Sequence, residues 1–215
     1  MANVKIQFAF IILLSSIVSG CEQSMALKVE SSVPAPLLTK IPLTMGVYYD
    51  DQFRHYSYKE NSSDRKNWDI ESGASQVALF NRILSSMFRE VKPVTSLPES
   101  GADTGVDAIL SPSIEEMQFS LPRETKLKLY EAWIKYKITL YSNDGSVIAE
   151  WPLTAYGKTT TEFLKSRDKG LRAAIELALR DAGAKLAIGF PNVGGVKQWL
   201  ATSLGECHNH SNGVC

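Results

Sequence analysis

The stretch Ala132-Trp133-Ile134-Lys135-Tyr136-Lys137-Ile138-Thr139-Leu140-Tyr141-Ser142-Asn143-Asp144-Gly145-Ser146-Val147-Ile148 decides the fold. Its even-numbered residues up to Leu140 are apolar and alternate with Trp133, Lys135, Lys137 and Thr139. A period of two is that of a strand with one face toward a core and an amphipathic face outward. Asn143-Asp144-Gly145 supplies the turn residues of a tight hairpin. A return strand therefore runs from Ser146 to about Tyr156, and Pro152 assigns it to a sheet edge.

On the C-terminal side, residues 168–188 carry Leu171, Ile175, Ala178, Ala182 and Leu186 on one helical line. The alanines permit close approach to a sheet, and Gly189 and Pro191 end the last regular element. On the N-terminal side a helix opens at Ser72 or Ser75. It carries Val77, Phe80, Leu84, Met87 and Val91 as its apolar stripe, with Gln76 on the wet side, and ends at Pro93. Ile41 to Tyr49 alternates as a strand. Residues 50–71 read as a strand end or hairpin followed by a surface loop. Val106 to Phe119 is strand-like, with a bend or edge at Pro112. Two one-sided helices and an amphipathic sheet give an α/β (α+β) two-layer sandwich, its sheet mixed or antiparallel and both helices on one face.

The 215 residues include 23 basic and 23 acidic side chains and three cysteines. Such a balance gives no electrostatic case for nucleic acid. Lys5 and the apolar run Ile6 to Val18 form a secretory signal, the run being shorter than the roughly 20 residues of a spanning helix. Val18-Ser19-Gly20-Cys21 resembles the lipobox of bacterial lipoproteins. That resemblance implies cleavage between Gly20 and Cys21 and acylation of the Cys21 thiol, with three chains in many bacteria. Glu22 stands where an aspartate would retain such a protein at the inner membrane. The expected place is the outer membrane, facing the periplasm. Residues 1–20 are then the signal peptide, 21–40 a tether, 41–200 one domain and 201–215 a flexible tail.

Few residues point to chemistry. His55, His208 and His210 are the only histidines, and no serine stands in a nucleophile turn beside them. Gly157-Lys158-Thr159 lacks the preceding glycine of a phosphate loop, Pro152 holding that place. Glu115 and Glu116 are expected on opposite faces of a strand, which would prevent them from sharing a substrate. Cys207 and Cys215 close a small disulfide loop, or stay free in the tail, or join His208 and His210 around a metal. Tyr48, Tyr49, Phe53, Tyr56 and Tyr58 either form a contact surface or pack beneath the helices. Trp133, with Lys135 and Lys137, is a second candidate surface.

Gly105-Val106-Asp107-Ala108-Ile109-Leu110, the hairpin around Asn143-Asp144-Gly145 and the helix carrying Ala182 resemble the YajG-like lipoproteins and the auxiliary lipoproteins of envelope ABC transport systems. The resemblance covers roughly residues 75–190. It implies a small α/β domain without catalysis or cofactor that binds envelope components. The expected function is that of a non-enzymatic, membrane-anchored lipoprotein whose partner is transport or assembly machinery, or lipid. The alternative is an envelope hydrolase or metal-binding protein using His55 or the Cys/His tail.

Overall fold

The computed structural model describes residues 25–28, 36–61, 67–98, 105–161 and 166–209. Gly20, Cys21, His210 and Cys215 lie outside the described residues. In chain order the elements are β1 (Met25–Lys28), β2 (Ile41–Tyr48), α1 (Asp51–Arg54), β3 (Ser57–Glu60), β4 (Trp68–Glu71), α2 (Gly73–Met87), β5 (Phe88–Val94), β6 (Ala108–Ser120), β7 (Leu129–Ser142), β8 (Val147–Thr160), α3 (Arg167–Gly189), a short 3-10 helix (Phe190–Asn192) and α4 (Gly194–Asn209).

Five strands form a mixed sheet in the order β5-β2-β6-β7-β8. β2 runs parallel to both β5 and β6, whereas β6, β7 and β8 are antiparallel. The alternation in β7 is realised: Ala132, Ile134, Tyr136, Ile138 and Leu140 are fully buried beneath the helices. The hairpin closes with the Ser142 N–H donating to the Ser146 carbonyl at 2.8 Å, and Gly145 adopts the positive φ of 87° that its turn demands. β8 is an edge strand, as Pro152 requires. α3 closes part of that edge: the Tyr156 N–H donates to Asp181 at 2.8 Å, and Lys185 Nζ donates to the Thr154 carbonyl at 2.8 Å. Covering an edge strand's backbone groups in this way blocks pairing with another chain.

The helices pack on one face of the sheet, completing the α/β sandwich. α3 buries its predicted line of Leu171, Ile175, Ala178, Ala182 and Leu186. α2 differs in detail. It ends at Met87 and not at Pro93, because the chain passes directly into β5, where Pro93 is tolerated at the sheet's other edge. Its buried face includes Gln76, while Val77 is only half-buried. Periodicity assigns this polar side chain to the wet face; its burial is tolerated because Gln76 finds a phenolic partner described below.

Three stretches depart further from the sequence reading. Residues 50–71 hold α1, β3 and β4 in place of the expected hairpin and loop. Met25–Lys28, inside the segment read as a tether, is a strand: β1 pairs parallel with β4, which pairs antiparallel with β3 in a second, three-stranded sheet. Trp68 and Ile70 from β4 are buried, with Trp68 edge-on to Phe119 of β6 at 5.3 Å. This small sheet packs on the Phe119 end of the long β6–β7 pair. Finally, α4 carries the chain helically through residues 201–209, part of the expected flexible tail, and includes Cys207 and His208. Its Val196 is buried, and Trp199, Leu200 and Leu204 lean on the core.

Candidate functional site

Two surfaces hold residues singled out by sequence: His55 and Tyr56 on one, Trp133, Lys135 and Lys137 on the other. The first is a cleft of about 420 Å³ between the small sheet and the start of α2. Asp50 caps α1 by accepting the Phe53 N–H at 2.6 Å, and His55 closes that helix. The Ser72 and Gly73 N–H groups both donate to the Tyr56 carbonyl, at 3.1 and 3.0 Å. A side chain at Gly73 would meet the Arg54 carbonyl oxygen at 2.2 Å, so only glycine lets α2 start this close to α1. The result is a concavity whose lining includes the side chains of Lys28, Arg54, His55, Lys59, Asp69 and Glu71.

His55 is exposed, and its Nδ1 lies 3.1 Å from the Asp51 carbonyl oxygen. Ser57, in the same cleft, donates its hydroxyl to Asp69. The Ser57 hydroxyl is thus given to a carboxylate and not to an imidazole. Among the described residues, no three of His, Cys, Asp or Glu are placed to hold a metal ion. No described helix is long and apolar enough to cross a membrane.

The aromatic run Tyr48 to Tyr58 divides. Tyr49 and Phe53 are buried and cannot serve as a contact surface, which corrects that assignment. They stack at 5.4 Å and continue through Phe80 to Tyr136 by edge contacts of 5.7 and 5.5 Å. The reason is α1, which folds Phe53 back over Tyr49 and into the core. Tyr56 and Tyr58 are half-buried and lean on that core, and Tyr48 is half-buried at the end of β2.

Burial pushes the phenols of Tyr49 and Tyr136 above their ordinary value of 10. The folded state keeps protons that the unfolded chain releases near pH 10, so this contribution is intact below that pH and is lost as pH rises above it. In an alkaline titration, phenolate absorbance from the half-buried tyrosines should rise first. The Tyr49 and Tyr136 signals should appear only together with loss of far-ultraviolet circular dichroism. Ionisation of all eight tyrosines before any loss of structure would contradict the burial.

The second surface is the open face of the sheet. Trp133 lies against Tyr156 with ring centroids 5.2 Å apart, and the Tyr156 hydroxyl donates to Glu131 at 2.6 Å. That hydrogen bond to a carboxylate pushes the Tyr156 phenol up to about 12. Lys135 pairs with Glu115 at 2.9 Å and Lys137 with Glu150 at 3.6 Å. The expectation for Glu115 and Glu116 fails here, because a register shift between Ile114 and Glu116 interrupts the alternation. Both carboxylates are exposed near Lys135. Trp133, Lys135, Glu116 and Gln118 line a shallow depression of about 340 Å³. Gly157-Lys158-Thr159 forms no loop at all: it is the end of β8, with Gly157 against the backbone of α3.

No family model matches the chain, and no curated protein matches it. Solved structures do. A protein from Xanthomonas campestris aligns at 11% identity over 86% of this chain and 99% of its own, with a TM-score of 0.47. A minor lipoprotein from Acinetobacter baumannii aligns at 9% identity over 77% of this chain and 96% of its own, with a TM-score of 0.41. Likeness of this extent says nothing about activity or partners.

Proposed function

We propose that this chain is a non-enzymatic lipoprotein of the bacterial envelope, anchored through acyl chains on Cys21 and binding an envelope partner through its folded domain. The observation that carries this reading is Val18-Ser19-Gly20-Cys21 closing an apolar run of signal-peptide length. A thiol flanked by small residues is the substrate such acylation needs, and several buried chains, at about 0.8 kcal/mol per methylene, make the anchor durable. Glu22 in place of aspartate favours the outer membrane and its periplasmic side. The open sheet face supplies a contact area, with Trp133 and Tyr156 as aromatic anchors amid paired charges. Its partner is transport or assembly machinery, or lipid.

Cell fractionation with mass spectrometry of the N-terminal peptide tests the anchor. The wild-type chain should sediment with membranes and begin at a Cys21 bearing acyl mass, and Cys21→Ser should appear in the soluble envelope fraction. An unmodified Cys21, or an unchanged distribution of Cys21→Ser, would overturn the reading.

A further inference from the structure

We propose that the cleft between the small sheet and the start of α2 lies against the bilayer that holds the anchor, and takes up the zwitterionic phosphoethanolamine headgroup of a phospholipid. This inference rests on acylation of Cys21. The geometry begins with chain reach. Only three residues separate Cys21 from Met25, the first residue of β1. Even fully extended, that connection spans about 14 Å between Cα atoms. A domain of this length is about 40 Å across. Because β1 is hydrogen-bonded along its length to β4, the domain has no long leash. It is held at the membrane surface by the edge of its small sheet.

Lys28 is the last residue of that strand, about 10 Å beyond Met25, and it lines the cleft. The cleft opens on the face of β4 that carries Asp69 and Glu71, opposite the buried Trp68 and Ile70. Its charges are mixed: Lys28, Arg54 and Lys59 face two carboxylates, with His55 beside them. A purely anionic ligand would be repelled by Asp69 and Glu71. A phosphate joined by two carbons to an ammonium complements both signs, the phosphate toward the cations and the ammonium toward the carboxylates. The first turn of α2, which lines the same cleft, adds N–H dipoles favourable to the phosphate.

Lysine acetylation footprinting of the full-length acylated protein tests this. The protein is held either in phosphatidylethanolamine-rich vesicles or in dodecyl maltoside micelles, which accept the acyl chains but offer no phosphate. Lys28 and Lys59 should react about three-fold more slowly in the vesicles, as expected if they are covered most of the time. Exposed Lys197 on α4 should not change. Equal rates in vesicles and micelles with Cys21 acylated would overturn this inference alone. An unacylated Cys21 in the same digest would overturn the anchor reading and this inference with it. Stronger protection in vesicles of phosphatidylglycerol alone would overturn the zwitterionic assignment.

Discussion

Gly157→Ala should strongly destabilise the domain. A methyl group at this position would stand 2.1 Å from the Ala174 carbonyl oxygen and 2.3 Å from the Ala178 nitrogen. Those two atoms belong to consecutive turns of α3, so the methyl group lands on the helix's own ladder, where no side chain can swing away. Relief requires lifting α3 off β8, which opens the packing of Ala174, Ala178 and Leu179, all fully buried. Overpacking of an adaptable core costs about 1–3 kcal/mol; against rigid backbone we expect about 4 kcal/mol or more. That is a large part of the roughly 5–15 kcal/mol that holds a domain together. For a domain of this size the melting temperature should fall by roughly 8–16 °C. Gly189→Ala is the matched control. Gly189 has an ordinary helical backbone (φ −80°, ψ −31°), and a methyl group there would meet nothing within 4 Å, so alanine should stabilise by about 0.4–1 kcal/mol. Thermal and urea unfolding of the non-acylated Cys21→Ser protein measures both. A cost below about 1 kcal/mol for Gly157→Ala would mean that α3 does not cross β8 as described.

The same contact shows why parts of the fold are legible in sequence and others are not. β7, its hairpin and α3 announce themselves because each has one wet and one dry face, and periodicity records that difference. Gly157 carries no such signal: in sequence it resembles part of a failed phosphate loop, and only the approach of α3 explains it. α1, β3 and β4 escape detection because elements of four residues are too short to establish a period, and their burial depends on packing against a strand pair distant in sequence. β1 is hidden among tether-like residues for the same reason. α4 has only a partial apolar stripe, Val196, Trp199, Leu200 and Leu204, beyond Gly189 and Pro191, which read as the end of the last regular element. In the candidate sites, Trp133 is legible from strand alternation. The cleft is not, since Lys28, Arg54, Lys59 and Glu71 meet only when two sheets and a helix start converge.

Gln76, the polar residue that periodicity puts on the wrong face, belongs to a coupled pair that a mutant cycle should expose. Tyr136 and Gln76 are both fully buried, and the Tyr136 hydroxyl donates to Gln76 Oε1. The other end of Gln76 reaches the Ser72 hydroxyl only at 3.5 Å, so the phenol is its main partner. Tyr136→Phe would leave a buried amide oxygen without a donor, at a cost of about 1–3 kcal/mol. Gln76→Leu would strand the phenol hydroxyl in the core at a similar cost. Tyr136→Phe combined with Gln76→Leu removes both polar ends and substitutes apolar groups of similar shape beside Phe80, whose ring meets Tyr136 edge-on. The double variant should therefore lie within about 1 kcal/mol of the parent, giving a coupling of about 2 kcal/mol or more between the sites. Urea unfolding of the four proteins measures it. Additive losses would show that the two side chains do not meet, and α2 would then have to be rotated on the sheet.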